Sequence, residues 1–253
     1  MTKKSFNVAG NFPAFGGWIT IDSPVLCHVM AGAGFDYLCI DTQHSLIGVT
    51  EAAHLLYGIP RGEVPVLVRT PRNDPADIGK MLDCGADGII VPMINTPAEA
   101  VEASRACAYP PEGIRSFGPI RSDLPRAPKL LNERAACFAM IETLQGAECA
   151  EAIAAVEGIA GLYLGPADLA ISLGLQPDAW RAPPVQEAVR NLVAACRTAG
   201  KLAAGHALSS AQASDMVALG MDMVSLTSDK GLITMAARTM ISELRETDRK
   251  APS

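Results

Sequence analysis

Eight short apolar runs, separated by stretches with helical spacing, set the frame for what this chain can fold into. They cover residues 17–21, 37–41, 65–69, 88–92, 137–142, 161–165, 201–205 and 223–226. Runs this short, rich in Val, Ile and Leu and bounded by Gly and Pro, read as strands buried on both faces. Strand and helix alternating eight times imply a parallel sheet, and eight such units close into a barrel. The expected fold class is α/β, a single (β/α)8 TIM barrel spanning residues 1–253 as one domain. A chain of 253 residues suits one such barrel, and 49% hydrophobic residues are ample for its core.

Local signals fit that frame. Asp74 can cap a helix over residues 74–82, Pro75 suits its first position, and Asp77 sits near its positive end. Gly32, Gly34, Gly85, Gly158 and Gly220 fall where helices should stop before the next strand. The Gly32 and Gly34 pair follows a helix and precedes a strand, the reverse of the dinucleotide-binding order, so that reading is rejected. One connection is too long for a simple turn. After a helix at about residues 97–108, the run Tyr109-Pro110-Pro111-Glu112-Gly113-Ile114-Arg115-Ser116-Phe117-Gly118-Pro119 must be irregular. A loop of this length is expected on the active face of the barrel. The polar segment from Glu243 onward is expected to fray.

Charge and cysteine content narrow the partners. The net charge is −6 and no basic stripe occurs, which argues against a nucleic-acid partner. No apolar stretch reaches the length of a membrane span, and Lys3-Lys4 is not followed by a secretory apolar core. The seven cysteines, at 27, 39, 84, 107, 137, 149 and 196, form no C-x-x-C pair. They are expected to be reduced, buried thiols in a cytoplasmic protein.

Four of the eight runs end in a charge: Asp41, Arg69, Glu142 and, just past its run, Asp168. A charged strand end is costly unless it opens into a site, and several together should meet at the C-terminal face of a barrel. Glu142 and Asp168 come from neighbouring strands. Two converging carboxylates with open positions suit a hard divalent cation such as Mg²⁺ or Mn²⁺. Asp168 also fits a helix cap, since Gly165-Pro166-Ala167-Asp168 opens a helix whose N–H groups would face an anion. Arg69 can clamp a carboxylate or stabilise an enolate oxygen, and a buried rim salt bridge is its alternative. Asp41 lies three residues before His44 and can fix the tautomer of its imidazole, making His44 a candidate general base. A loop histidine satisfied by its surroundings is the alternative there. His28 and His54 fall inside predicted helices. His206 follows the seventh run and could reach the site, although nothing specific points to it. For a Schiff-base mechanism Lys230, after the eighth run, is the only lysine in a suitable place.

Taken in order, these stretches resemble the metal-dependent (class II) pyruvate aldolases of the HpcH/HpaI family. The likeness rests on Phe35-Asp36-Tyr37, Ile40-Asp41-Thr42-Gln43-His44, Val68-Arg69, Asn73-Asp74-Pro75, Gly85-Ala86, Val91-Pro92-Met93, Tyr109 through Arg115, Ile141-Glu142-Thr143 and Gly165-Pro166-Ala167-Asp168-Leu169. The resemblance implies a divalent cation (Mg²⁺, Mn²⁺ or Co²⁺) held by Glu142 and Asp168. Gly165, Ala167 and Asp168 would hold the carboxylate of a 2-oxo acid, Arg69 would polarise its carbonyl, and His44 with Asp41 would form the catalytic dyad. It further implies a homo-hexamer, a trimer of dimers, with C-terminal helices exchanged between subunits. That would give the apolar segment near residues 232–244 a partner. Members that cleave diacids carry Gln where this chain has Met140 and often Glu at Gln43. Gln43-His44-Ser45 and Arg115-Ser116-Phe117-Gly118 look more like the branch that accepts hydroxypyruvate. The implied reaction is cleavage of a 4-hydroxy-2-oxo acid to pyruvate or hydroxypyruvate and an aldehyde. Beside a Schiff-base aldolase using Lys230, two alternatives stay open. One is a lyase acting on a CoA thioester, related to citrate lyase β chains, with Arg121, Arg126 and Lys129 for the CoA phosphates. The other is a catalytically silent barrel that binds a 2-oxo acid.

Overall fold

The structure, a computed structural model, describes residues 12–250 except residue 61, with side chains up to position 245. Eight strands are β1 (Ala14–Ile19), β2 (Tyr37–Asp41), β3 (Val66–Arg69), β4 (Gly88–Val91), β5 (Ala136–Ile141), β6 (Ile159–Leu164), β7 (Leu202–His206) and β8 (Met223–Ser228). They pair in parallel, each with its sequence neighbours, and β1 closes on β8. The (β/α)8 barrel expected from the alternation is therefore the fold, and the strand bounds differ from the expected ones by three residues at most.

The helices are α1 (Pro24–Ala31), α2 (Val49–Gly58), α3 (Pro75–Asp83), α4 (Pro97–Cys107), α5 (Pro128–Arg134), α6 (Leu144–Glu148), α7 (Ala150–Ala154), α8 (Pro166–Ser172), α9 (Pro183–Ala199), α10 (Ser210–Ala218) and α11 (Asp229–Lys250). The Asp74 carboxylate caps α3 as expected, accepting from the backbone N–H of Ala76 at 2.8 Å and of Asp77 at 3.3 Å. Gly85, just past α3, has a φ of +107°, a conformation glycine takes without strain.

Two apolar layers hold the barrel. One lies between sheet and helices and includes Leu38, Ile40, Val68, Ile89, Ile141, Leu162 and Leu164. The other fills the interior with Trp18, Tyr37, Cys39, Leu67, Phe138, Met140, Tyr163 and Met223. Side chains alternate faces along a strand, so the parity of a position decides its layer. Cys39 and Leu67 face inward, and therefore so do Asp41 and Arg69, two positions on. Met140 faces inward, and Glu142 follows it by two. All seven cysteines are free, and six of them are buried.

Two expectations are corrected. The long connection does not lie on the active face. Ile114 N–H donates to the Arg105 carbonyl at 2.9 Å, Ile120 N–H donates to the Asp83 carbonyl at 2.9 Å, and Arg115 pairs with the Asp83 carboxylate at 2.6 Å. Those partners lie at the C-terminal ends of α3 and α4, which is the end where strands begin. A helix running antiparallel to its strands delivers the following loop to that end. The second correction is the C-terminal tail, which continues as helix to Lys250 rather than fraying from Glu243.

Candidate active site

Asp41 and Arg69 are register partners across β2 and β3. The pairing makes their ion pair a consequence of strand register. Arg69 Nε donates to Asp41 Oδ1 at 2.9 Å and Nη2 donates to Oδ2 at 2.6 Å, a bidentate fork. Both residues are buried. Burial opposes the Asp41 charge, but the Arg69 fork outweighs it and holds the carboxyl below its usual range. Burial likewise opposes the Arg69 charge, and Asp41 keeps the guanidinium protonated. Trp18 completes the setting: its Nε1–H donates to Asp41 Oδ2 at 3.2 Å, and its ring lies 5.1 Å from the guanidinium carbon.

The Asp41 carboxylate also accepts from the backbone N–H groups of Gln43 at 3.0 Å and His44 at 3.2 Å. It thus fixes the turn that carries His44, while the imidazole itself is exposed at the rim. Among the described residues the Asp41 carboxylate has no hydrogen bond to that ring, so the expected dyad contact is replaced by a backbone contact. The reason is that Arg69, Trp18 and the two backbone N–H groups already engage both carboxylate oxygens.

Glu142 follows β5 and is 2% exposed. Its Oε1 accepts from the Met93 backbone N–H at 2.7 Å. Met93 takes a φ of +57°, which aims that N–H at the site at some cost in backbone strain. Glu142 Oε2 is buried without a partner among the described residues. Burial pushes the Glu142 carboxyl above its usual range, and the negative charge of Asp168 adds to the push. Asp168 lies in the first turn of α8, whose N-cap is Gly165, so it is not the cap. It is exposed at the rim. Gly165 has a steric role: a Cβ there would sit 2.8 Å from both Cβ and Oε2 of Glu142. The first-turn N–H groups of Ala167 and Asp168 have no side-chain cap above them.

The donor chemistry fits a divalent cation. Among the described residues no three or more His, Cys, Asp or Glu side chains are gathered as a complete cage. An Mg²⁺-like ion does not need one, because it binds through one or two carboxylates, waters and substrate oxygens. The unpartnered Glu142 oxygen is the atom such an ion would satisfy.

Three residues of the site carried little signal in the sequence. Trp18 lies in an apolar run and looked like core. His206 packs against Trp18 with ring centroids 4.7 Å apart and planes inclined by 52°, and its Nδ1 lies 2.8 Å from Ser225 Oγ. Register pairs His206 with Ser225, which an isolated Ser in a run could not announce. Met140 does line the site, with its sulfur 3.9 Å from Arg69 Nη1, whereas Arg115 lies at the other end of the barrel. Arg121 and Arg126, offered for CoA phosphates, also belong to that other end. Arg121 binds Asp123 and the Leu56 carbonyl, and Arg126 binds the Pro119 carbonyl. Lys230 is exposed at the start of α11, without the apolar surroundings a Schiff-base lysine uses.

The family described as HpcH/HpaI aldolase/citrate lyase matches residues 14–236. A hydroxypyruvate/pyruvate aldolase of Rhizorhabdus wittichii is 37% identical over 238 residues, covering 92% of this chain and 94% of that protein. A 5-keto-4-deoxy-D-glucarate aldolase of Klebsiella pneumoniae is 31% identical, covering 91% of this chain and 92% of its own length. Among solved structures, an HpcH/HpaI aldolase/citrate lyase family protein of Burkholderia cenocepacia superposes with a TM-score of 0.86 at 30% identity, covering 94% of this chain and 96% of that one.

Proposed function

The chain belongs to the HpcH/HpaI aldolase/citrate lyase family and is a carbon–carbon lyase; from that premise we propose that it is a divalent-metal-dependent aldolase cleaving 4-hydroxy-2-oxo acids to pyruvate or hydroxypyruvate and an aldehyde. The observation that carries this reading is the buried, unpartnered Oε2 of Glu142 with Asp168 near enough to raise its proton affinity. Glu142 and Asp168 would hold Mg²⁺, Mn²⁺ or Co²⁺. When bound, the ion supplies Lewis-acid stabilisation of the charge that develops as the carbon–carbon bond breaks.

The remaining work falls to the chain's own side chains. Arg69 is locked by Asp41 and Trp18 before substrate arrives, so its positive charge stabilises the enolate without reorganisation. Asp41 is a positioning residue: it keeps Arg69 charged and holds the backbone of the turn at His44. The uncapped N–H groups of Ala167 and Asp168 suit the substrate carboxylate. His44, exposed at the rim, would move the hydroxyl proton through water.

The apolar face of α11 supports a homo-hexamer built as a trimer of dimers, with this helix packed on another copy. Ile233, Met240, Ile241 and Leu244 share one side of α11 and are each between 48% and 68% exposed, a stripe an isolated chain has no use for. Among the described residues no helix is long and apolar enough to cross a membrane, and seven free thiols suit a reducing cytoplasm.

Stripping metal with EDTA and restoring Mg²⁺ or Mn²⁺ tests the reading. Aldol cleavage should vanish and return. Full activity in the metal-free protein would remove the proposed chemistry.

A further inference from the structure

One polar group at the C-terminal mouth has no part in the chemistry above: His206, at the end of β7. Its Nδ1 lies 2.8 Å from Ser225 Oγ. That hydroxyl is the end of a chain. The Tyr163 hydroxyl donates to Ser225 Oγ at 2.7 Å, and the Tyr37 hydroxyl lies 3.3 Å from that of Tyr163. A serine hydroxyl has a single hydrogen. Ser225 Oγ also meets the Tyr37 hydroxyl. When its hydrogen goes to His206 Nδ1, with Tyr163 donating into Oγ, Nδ1 is an acceptor and the ring proton sits on Nε2, the tautomer able to donate to a ligand.

The ring is also fixed in place. The Trp18 ring packs against it, tilted by 52° with centroids 4.7 Å apart, and the same indole lies 5.1 Å from the Arg69 guanidinium carbon. In the closed strand order β1 is two strands from β3 and two from β7, so one indole spans the mouth between Arg69 and His206. Burial, with the positive charge of Arg69 adding to it, pushes the His206 pKa down to about 4, and the ring is uncharged at neutral pH. An uncharged N–H does not rival Arg69 for a carboxylate. Its fitting partner is an uncharged oxygen.

We propose that His206 is a specificity-determining residue that donates a hydrogen bond from Nε2 to a hydroxyl oxygen of the substrate, so that the site favours hydroxypyruvate over pyruvate as the 2-oxo acid. This rests on the aldolase reading and names the substrate class of the same site. The Tyr37–Tyr163–Ser225 chain acts through His206, and its members are positioning residues.

The test uses the full-length enzyme with Mn²⁺, glycolaldehyde as acceptor, and kcat/KM for hydroxypyruvate and for pyruvate. His206→Phe keeps an aromatic ring against Trp18 and removes the donor, and should lower the hydroxypyruvate-to-pyruvate ratio by about tenfold, the worth of one neutral hydrogen bond. His206→Gln, whose amide N–H reaches to where Nε2 lies, should restore most of that ratio. Ser225→Ala releases the tautomer and should lower the ratio severalfold. Independently of turnover, ¹⁵N-histidine NMR of the metal-free wild type should show the proton on Nε2 between about pH 6 and 8. An equal fall for both substrates in His206→Phe would reduce His206 to packing and overturn the proposal, as would a proton on Nδ1. Should His206→Phe fail to fold, the Ser225→Ala ratio and the NMR tautomer decide. A wild type inactive with either 2-oxo acid sinks the aldolase reading itself, whereas an active wild type whose ratio no variant moves sinks only the role of His206.

Discussion

Arginines are buried at both ends of this barrel, but their surroundings differ. Where the strands begin, the buried Arg115 pairs with Asp83 and the buried Arg121 with Asp123, and the half-buried Arg134 pairs with Asp87. Where they end, Arg69 pairs with Asp41, yet Glu142 stands beside them with one oxygen unpartnered. Four buried side-chain polar atoms lack a partner among the described residues. Three of them, Gln43 Oε1, Thr70 Oγ1 and Glu142 Oε2, lie just past β2, β3 and β5, and only Arg115 Nε is at the opposite end. Buried polar groups are normally matched, so their concentration at one mouth marks the end prepared for a ligand. The long loop that the sequence pointed to as functional belongs to the matched end.

Substitutions at the two ends should therefore separate stability from activity. The largest effect is expected for Glu142→Gln. Removing the carboxylate should cut aldol cleavage by about a thousandfold, as loss of a key electrostatic group does. In EDTA the same variant should melt at the wild-type temperature or above, because a buried charge disfavoured by its surroundings is gone. Kinetics and thermal melts in parallel check both halves. Asp41→Asn should lower both quantities. It leaves the Arg69 guanidinium buried without a counter-charge, at a cost of about 3–5 kcal/mol in urea unfolding. At the opposite end Arg115→Met should lose about 3 kcal/mol by breaking the pair with Asp83, while kcat/KM stays within about twofold of wild type. A fall in kcat/KM there would erase the division between the two ends. Met140→Gln should be the mildest. It gives Arg69 Nη1 a polar neighbour in place of sulfur, and should change kcat/KM by less than about tenfold and stability by about 1 kcal/mol.

The two carboxylates also titrate with opposite sign. Asp41 is held below the usual carboxylate range, so its stabilisation is present above the unfolded pKa and is lost as pH falls through the folded one. Glu142 is raised, so its ionisation costs the metal-free protein stability as pH rises from the ordinary carboxylate range through the raised value. A cation favours the ionised form. The gain in melting temperature from added Mg²⁺ should therefore grow with pH across that window, and a gain independent of pH would place the ion elsewhere.

Strand parity explains how much of this was readable beforehand. Eight apolar runs with helical segments between them specify the barrel, and charges at run ends specify Asp41, Arg69 and Glu142. Their convergence follows from period-two alternation once Cys39, Leu67 and Met140 are placed inside. What parity cannot supply is the partner of each charge. Asp41 was assigned to the His44 imidazole because they are close in sequence, but register across β2 and β3 gives the carboxylate to Arg69. The loop at 109–119 was misplaced for a related reason. Its length and proline content are visible in sequence, whereas the end of the barrel it occupies is set by the direction of α4. His206 and Ser225 escaped because neither closes an apolar run with a charge, and their contact exists only through the pairing of β7 with β8.

The most direct measurement is a calorimetric titration of Mn²⁺ into metal-stripped protein, with wild type, Glu142→Gln and Asp168→Asn side by side. If the two carboxylates share one ion, wild type should bind one Mn²⁺ per chain and both variants should lose that binding. One Mn²⁺ bound with wild-type affinity in either variant would contradict a cation held between Glu142 and Asp168.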